Sequence, residues 1–401
     1  MYFILFLFIG FLCLVEWAFY KVLNLAFSDF NSLFSVYLST TFALIFLLIF
    51  FFFRIITTKE KNKWRHILRF TSTFLLFFLP KMLVAFLFLI HKSIGYIINC
   101  LSNYQILENS LIDKLILLVG FGFLLILIHG IVIGRYKFRV IKKTIFFDHL
   151  PDAFDGKNVL QISDIHSGSL SNPKKFLKGI ELINHQKADL IVFTGDIINS
   201  QIHEMDDWIT VFSQIKKAPL GNFAILGNHD YGTHNGQVSA SKREIVINQL
   251  KEIHSKIGFD LLLNEQRILQ INNQKINLLG VENYGAPPFA QHGDLSKTMI
   301  DIKQGDFNIL LSHDPSHFDL EIKYFEKNIP LTLSGHTHGM QFGIEFFGIK
   351  WSPVKYKYKK WAGLYQENNR YLYVNRGFGY IGIPARIGIW PEITVIELRK
   401  K

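Results

Sequence analysis

The sequence predicts a two-part protein, with an α-helical membrane region over residues 1–134 followed by a globular α/β domain over residues 151–401. The first third holds 22 of the 39 Phe residues but only 10 of the 43 Lys and Arg and 5 of the 32 Asp and Glu. This apolar excess is typical of membrane-embedded segments and excludes a disordered chain. Beyond residue 150, short apolar runs alternate with longer amphipathic ones, which predicts strands and helices packed in layers.

Four windows in the first third are long and apolar enough to cross a bilayer, which takes about 20 residues. The third window contains Pro80 and Lys81 at its centre, and a mid-bilayer lysine costs at least ~2.5 kcal/mol. Either this helix kinks with Lys81 facing protein, or the span slides toward residues 82–98, and both versions cross once. The predicted spans are residues 2–22, 33–56, 70–90 and 111–133.

Basic residues in the flanking segments predict the orientation of these four spans. Two segments are rich in Lys and Arg, and the positive-inside rule places both in the cytoplasm. The globular domain is then cytoplasmic and the chain is an integral protein of a bacterial-type inner membrane, provided that the third span crosses. The basic residues are Arg54, Lys59, Lys61, Lys63, Arg65 and Arg69 after the second span, and Arg135, Lys137, Arg139, Lys142 and Lys143 after the fourth.

Charge and cysteine content exclude other classes of protein. The net charge of +11 divides into +5 for residues 1–134 and +6 for the remainder, so neither part is basic enough to indicate nucleic-acid binding. The two cysteines, Cys13 and Cys100, exclude a disulfide framework or a cysteine-rich zinc site. We interpret both as inert thiols.

Residues 135–150 form a predicted basic linker, and the α/β elements follow it. Helices are predicted at residues 173–185, 203–215 and 241–257, the first with Ser171 or Asn172 as its N-terminal cap and a proline in its first turn. Buried strands are predicted at residues 158–163, 190–194, 223–226, 276–281, 308–312 and 331–334.

Five of these strands are followed at once by Asp, His or Asn, and ligands of α/β domains bind beyond the carboxyl ends of strands. Such residues taken singly are also ordinary in turns. As an ordered set they predict a divalent-metal site, and they are too many for one tetrahedral ion. Two ions that share a bridging carboxylate would use all of them. The set comprises Asp164 and His166, Asp196, Asn228 with His229 and Asp230, His313 with Asp314, and His336 with His338.

The order D-x-H, G-D, G-N-H-D, H, G-H-x-H resembles the calcineurin-like metallophosphoesterase superfamily over residues 155–401. The segment Asn375-Arg376-Gly377 and the later Pro391-Glu392-Ile393 are similar to its membrane-associated bacterial phosphodiesterase branch. Met340 departs from that branch, which often has a glycine there. The resemblance implies a four-layer α/β/β/α sandwich, and the membrane third lies outside it.

The resemblance also implies a role for each site residue. Asp164, His166 and His338 would hold one metal, while Asn228, His313 and His336 would hold the second, with Asp196 as the bridge. His229 would face the substrate as the catalytic acid or phosphate ligand. Beside these, Asp230 either orients His229 or caps its turn, and Asp314 is a candidate orienting residue next to His313. Arg376 and Arg386 are candidate phosphate contacts, with plain surface charge as the alternative.

The function implied is hydrolysis of a phosphodiester or pyrophosphate by a hydroxide that bridges two divalent ions, which can be Mn, Fe or Zn. The substrate is expected to be lipid- or nucleotide-linked, with a UDP-2,3-diacylglucosamine-type pyrophosphate or a phospholipid as examples by analogy. Two alternatives stay open. One is a membrane scaffold that binds metal without turnover, and the other is a nuclease or phosphoprotein phosphatase acting on soluble substrates.

The segment at residues 350–361 interleaves five lysines with Trp351, Tyr356, Tyr358 and Trp361. Three interpretations are open for it. It can be a solvated hairpin face, a single-strand nucleic-acid contact through stacking, or a contact with anionic lipid headgroups. The membrane tether favours lipid over nucleic acid. The sequence makes no prediction about oligomeric state.

Overall fold

The protein is described here from a computed structural model, which covers residues 2–27, 30–57, 60–101, 110–233, 238–346 and 348–401. The chain divides into two compact units, Met1–Gly130 and Ile131–Lys401. Each unit has its own hydrophobic core.

The first unit is helical. A small core of Val15, Ala18, Val84, Phe88 and other apolar residues joins three of its helices. Many of its other large apolar side chains face outward, which is expected where the solvent is lipid. Its helices are α1 (Tyr2–Ala26), α2 (Phe30–Thr57), α3 (Glu60–Leu101) and α4 (Ser110–Val132).

Three stretches of these helices have the length and composition to cross a membrane: Tyr37–Arg54, His66–Leu101 and Ser110–Tyr136. Helix α1 covers the first predicted span, and the count of four crossings stays a prediction.

The helix that contains the third predicted span differs from expectation. Helix α3 runs unbroken for 42 residues, so the basic residues from Lys61 to Arg69 belong to a helix and not to a loop. No glycine or proline precedes Pro80 in this helix to stop it.

Lys81, at the centre of the third predicted span, faces protein. Its ammonium lies 2.8 Å from Oε1 of Glu16 on α1, and Tyr37 of α2 donates a hydrogen bond of 2.7 Å to Glu16 Oε2. A charge within apolar surroundings is tolerated when it is paired. Three helices are therefore joined by one polar cluster next to Pro80.

The second unit contains two six-stranded mixed sheets and a short hairpin. The first sheet has the order β1-β14-β2-β3-β4-β5, and the second β12-β13-β9-β8-β7-β6, while β10 and β11 pair only with each other. The strands are β1 (Arg139–Phe147), β2 (Asn158–Ile162), β3 (Leu190–Phe193), β4 (Asn222–Ala224), β5 (Asp260–Leu261), β6 (Glu265–Ile271), β7 (Gln274–Gly280), β8 (Asn308–Leu311), β9 (Leu331–Ser334), β10 (Ile344–Phe346), β11 (Ile349–Trp351), β12 (Gly363–Glu367), β13 (Arg370–Val374) and β14 (Glu392–Lys400).

Three apolar clusters order these elements into layers. One, with Val192, Ile309 and Leu331, draws on strands of both sheets and lies between them. A second packs the first sheet against helices α5 (Pro173–His185), α6 (Ile209–Phe212) and α7 (Ala240–Lys256). A third packs the second sheet against α8 (Leu295–Thr298) and α9 (Ser316–Leu320). All six predicted strands are present, and α5 begins at its predicted cap, where Asn172 Oδ1 accepts from the Lys175 amide.

Two predicted segments differ from the structure. The linker at residues 135–150 contains β1, which pairs in parallel with β14, because Ile145 and Phe147 bury into the core between the sheets while its lysines stay exposed. The helix at residues 203–215 is interrupted and leaves only a turn and α6. The Glu204 carboxylate accepts from the backbone amides of residues 199–201 and so caps the first turn.

Candidate metal centre

The predicted ligands converge at one end of the two sheets. Strands β2, β3 and β4 run parallel, as do β7, β8 and β9, so their carboxyl ends lie together. The first sheet delivers Asp164, His166, Asp196 and Asn228, and the second delivers His313, His336 and His338. His336 is half-buried and the other six are buried.

Five of these residues adopt left-handed backbone angles that side chains rarely take. The φ values are 53° for Asp164, 50° for His166, 63° for Asp196, 70° for His336 and 51° for His338. Such backbone is costly and persists where its surroundings enforce it. Here the amides of residues 164 and 165 donate to the carbonyls of Gly195 and Asp196 at 2.9 and 2.8 Å, which locks the loop after β2 onto the loop after β3. Clustered strain of this kind makes this end of the sheets the candidate functional site.

The first ligand group is Asp164, His166 and His338, with one ligand atom of each within 4.8 Å of the others. His338 Nε2 lies 3.3 Å from Asp164 Oδ1, and both residues are buried. The Asp164 carboxylate also accepts from the His336 amide at 3.0 Å, which joins the loop after β2 to the loop after β9. This is the set assigned from sequence to the first metal.

The second group is Asp196, His313 and His336, within the same 4.8 Å limit. Asn228 extends it, because its Oδ1 lies 2.8 Å from His336 Nδ1. Asp196 also reaches the first group, with Oδ2 at 3.2 Å from His313 Nε2 and 3.4 Å from His166 Nε2. One carboxylate between two ligand groups is the geometry that a bridging ligand requires.

The chemistry of the site fits divalent ions. Among the described residues, the buried Nε2 atoms of His166 and His338 lie 3.4 and 3.3 Å from a carboxylate oxygen but form no hydrogen bond, although buried polar atoms nearly always form one. Burial lowers the pKa of His166 to about 3, so the ring is neutral and its lone pair is available to a metal. His313 Nδ1 donates to the Thr194 carbonyl at 2.7 Å, which leaves Nε2 to face Asp196.

Asp196 and His313 form a charged pair at the centre of the site. Although burial opposes the carboxylate, His313 and His229 hold the pKa of Asp196 well below its usual value. Although burial also opposes the imidazolium, Asp196 raises the pKa of His313 to about 10. Without a metal, the proton on His313 thus neutralises the charge of Asp196. A bound cation would take over this role, and we expect metal binding to release the proton.

His229 is held in one orientation beside these groups. Its Nδ1 lies 2.8 Å from the Asn199 carbonyl, which assigns the proton to Nδ1, and its ring packs edge-on against His166 with centroids 4.9 Å apart. Its backbone amide donates to Asp196 Oδ1 at 2.9 Å. Nε2 is therefore the ring nitrogen of His229 that faces away from this carbonyl.

The two acidic neighbours contact groups other than the histidines next to them in the chain, and Asp230 includes the amide of its own turn among its partners. Asp230 does not orient His229, since its carboxylate accepts from the backbone amides of Asp196, Ile197, Ile198 and Gly227 at 2.8 to 3.2 Å. It therefore fixes the loop that carries Asp196. Asp314 approaches His336 at 3.5 Å and not its chain neighbour His313.

Arg376 and Arg386 contact protein groups. Arg386 is completely buried and donates to the carbonyls of Arg376 at 2.8 Å and Gly379 at 2.7 Å, and it lies 3.3 Å from Nδ1 of His338. Arg376 is buried in an ion-pair network with Glu345 and Glu392. Both guanidinium groups thus brace the loop after β13.

Tyr358 belongs to the site and was not predicted to. Its hydroxyl lies 2.8 Å from His336 Nε2 and donates to Asp314 Oδ2 at 3.4 Å. Because Asn228 Oδ1 can only accept, His336 Nδ1 donates to it, which leaves Nε2 as the ring nitrogen that faces the Tyr358 hydroxyl. The sequence signal was the basic-aromatic pattern of residues 350–361, which indicated a surface and not a ligand partner.

Comparison with known proteins agrees with this geometry. A family model described as calcineurin-like phosphoesterase matches residues 157–340. The uncharacterized metallophosphoesterase YkuE of Bacillus subtilis is 33% identical over 268 residues, which are 66% of this chain and 86% of that protein.

Two further relatives are named for a membrane segment or for an activity. A transmembrane protein with metallophosphoesterase domain from Danio rerio is 28% identical over 281 residues, 68% of this chain and 60% of that protein. Phosphodiesterase YaeI of Escherichia coli is 27% identical over 248 residues, 60% of this chain and 81% of that protein.

Proposed function

Because the chain belongs to the calcineurin-like metallophosphoesterases, we propose that it is a membrane-anchored hydrolase that cleaves a phosphodiester or pyrophosphate bond with the help of two divalent ions. The observation that carries the proposal is the position of Asp196. Its Oδ2 lies within 3.4 Å of a ligand nitrogen from each of two buried ligand groups.

Each ligand group would hold one ion. Asp164, His166 and His338 form one site, and Asn228, His313 and His336 form the other, with Asp196 shared between them. Two dications held by these residues would lower the pKa of a bound water toward neutrality and would neutralise charge on phosphoryl oxygens. Mn, Fe and Zn all suit this mixture of imidazole, carboxylate and amide ligands.

His229 would complete the chemistry. Its Nδ1 proton is committed to the Asn199 carbonyl, so Nε2 is the ring nitrogen that would act on the leaving oxygen or on a non-bridging phosphoryl oxygen. The Asp196 carboxylate accepts a hydrogen bond from the backbone amide of His229, which keeps the imidazole ring beside the ligands. The protein mainly positions groups that are already charged, as expected for phosphoryl transfer.

The first unit would anchor the enzyme by four spans, with the catalytic unit in the cytoplasm. Support comes from three stretches fit to cross a membrane and from relatives named as transmembrane proteins. A chain held at a bilayer is suited to a lipid-linked substrate, such as a nucleotide-lipid pyrophosphate or a phospholipid.

The test is hydrolysis of bis-p-nitrophenyl phosphate by the purified full chain in detergent with Mn²⁺, with metal content measured on the same sample. We expect turnover that needs the metal and falls at least about 100-fold in Asp196→Asn, since the variant weakens both ligand groups. A panel of phosphomonoesters, nucleotide-lipid pyrophosphates and phospholipids would then identify the substrate class.

Two outcomes would contradict the proposal. Metal binding at both sites without turnover of any phosphoester in the panel would favour a scaffold. Faster cleavage of DNA or phosphopeptides than of lipid-linked substrates would favour a soluble substrate.

A further inference from the structure

Two of the five lysines in the segment at residues 350–361 make contacts within the protein. Lys350 donates to the Ala362 carbonyl and lies over the ring of Trp361, and that ring is buried. Lys360 pairs with Asp319 and Glu367 at 2.7 Å. Of its five lysines, three are left exposed and outside these contacts, namely Lys355, Lys357 and Lys359.

The short hairpin of β10 and β11 just before these lysines has an inverted pattern of polarity. Glu345 and Lys350 are directly paired across its strands and share one face, where Glu345 forms an ion pair with buried Arg376 and the Lys350 ammonium donates to the Ala362 carbonyl. The opposite face carries the pairs Phe346–Ile349 and Ile344–Trp351. Side chains alternate between the two faces along a strand. Because Glu345 and Lys350 are held by their partners on one face, the apolar residues lie on the other face.

These outward residues are well exposed. The exposed fractions are 53% for Ile344, 66% for Phe346 and 64% for Ile349, and Met340 and Phe342 beside them are exposed as well. A contiguous apolar face rimmed by polar groups marks a binding surface. Only Glu345 is acidic between residues 340 and 361, and it is already paired, so the exposed charge that this stretch of sequence adds beyond those contacts is the positive charge of Lys355, Lys357 and Lys359.

We propose that the apolar face of this hairpin, together with Lys355, Lys357 and Lys359, docks onto an anionic lipid bilayer. Exposed apolar side chains beside lysines match the chemistry of lipid interfaces, where apolar groups enter the acyl boundary and cations meet anionic headgroups. The chain also carries its own stretches fit to cross a membrane, so a bilayer is always available to it.

The hairpin is also joined to the metal centre on both sides of the sequence. His338 precedes it, and Tyr358, which contacts His336, follows it. A lipid surface on this face would therefore lie next to the residues that hold the ions. The inference concerns a surface and does not depend on the proposed hydrolysis.

The experiment uses the full chain in nanodiscs, with Cys13 and Cys100 replaced by serine and one new cysteine labelled with a polarity-sensitive fluorophore. The probe position is Ile349→Cys, and the matched control is Ile268→Cys, an isoleucine of β6 that is 59% exposed. In discs containing phosphatidylglycerol, we expect nitroxide lipids to quench the Ile349 probe and aqueous iodide to lose its effect on it. The Ile268 probe should respond to iodide only.

The charge contribution is tested separately. Replacing Lys355, Lys357 and Lys359 by glutamate in the Ile349→Cys background, or removing phosphatidylglycerol from the discs, should reduce quenching by nitroxide lipids. Unchanged thermal unfolding of each variant shows that it is folded. Iodide quenching of the Ile349 probe equal to that of the Ile268 probe would overturn the inference. Shielding from both quenchers would also overturn it, because it would indicate a protein partner.

Discussion

At the scale of single residues, His229 is separated from the metal ligands by the direction of its hydrogen bonds. Its Nδ1 is held by a backbone carbonyl at 2.8 Å, and it belongs to neither ligand group. We expect His229→Ala to lower kcat by roughly 10² to 10⁴ while metal content stays at the wild-type value, since a general acid is lost but no ligand is. Parallel kinetics and metal analysis check this, with His185→Ala, an exposed histidine of α5, as the control. Loss of metal with the activity would make His229 a ligand.

Tyr358 illustrates a residue that acts through another. Burial raises its pKa, so the hydroxyl stays protonated and bridges His336 to Asp314. We expect Tyr358→Phe to weaken binding at the ion site containing His336 about 10-fold, as is typical when the partner of a ligating histidine is removed.

Titration of the metal-free chain with Mn²⁺, followed by electron paramagnetic resonance, measures this change without relying on turnover. Tyr356→Phe is the matched control, because Tyr356 lies two residues away and is 78% exposed. An equal loss of affinity in both variants would point to the segment as a whole and not to the hydroxyl.

At the scale of elements, the loops after β3 and β4 pack so closely that one of them needs glycine. Gly195 has φ +94°, and a Cβ there would lie 2.6 Å from the Gly227 nitrogen and 2.8 Å from His313 Nδ1. Gly195→Ala should therefore displace the loop that carries Asp196 and abolish metal binding. Gly258→Ala is the control, with φ +84° and nothing within 4 Å of its Cβ. It shares the backbone strain of about 1 kcal/mol and should keep the metal.

The polar cluster of the first unit makes a prediction about helix association. Lys81→Met leaves Glu16 without its cation among apolar side chains, whereas the double variant Glu16→Gln with Lys81→Met removes both charges. Residues in direct contact couple by about 0.5–3 kcal/mol, so the double variant should be more stable than the sum of the single effects predicts. Thermal unfolding in detergent of both single variants and the double variant measures the coupling, with Lys114→Met, an exposed lysine of α4, as the control. Additive effects would mean that the pair does not join the helices.

At the scale of the whole molecule, the features that could be predicted from sequence are those that depend on residues close together in the chain. Apolar runs and the polar residues directly after them are local patterns, so the strands ending before Asp164, Asp196 and His313 were predicted with their ligands. The parallel pairing of β1 with β14 joins residues about 250 positions apart. The exposed lysines of β1 also made this segment look like a basic linker, although its Ile145 is buried. The contact of Tyr358 with His336 likewise depends on the path of the long segment between β9 and β12, which no local sequence pattern predicts.

The candidate metal centre spans both sheets, because four of its seven predicted ligands come from the first sheet and three from the second. Bound ions should therefore stabilise the second unit as a whole. A ligand present at 100 times its Kd adds about 2.7 kcal/mol, which in a unit of this size raises Tm by roughly 5 to 10 °C. Treatment with EDTA should lower Tm by that amount, and Mn²⁺ should restore it in the wild type and in Gly258→Ala but not in Asp196→Asn. A Tm unaffected by EDTA in a sample shown to have lost its metal would mean that the protein contacts alone, such as the hydrogen bond from the His336 amide to Asp164, hold the sheets together.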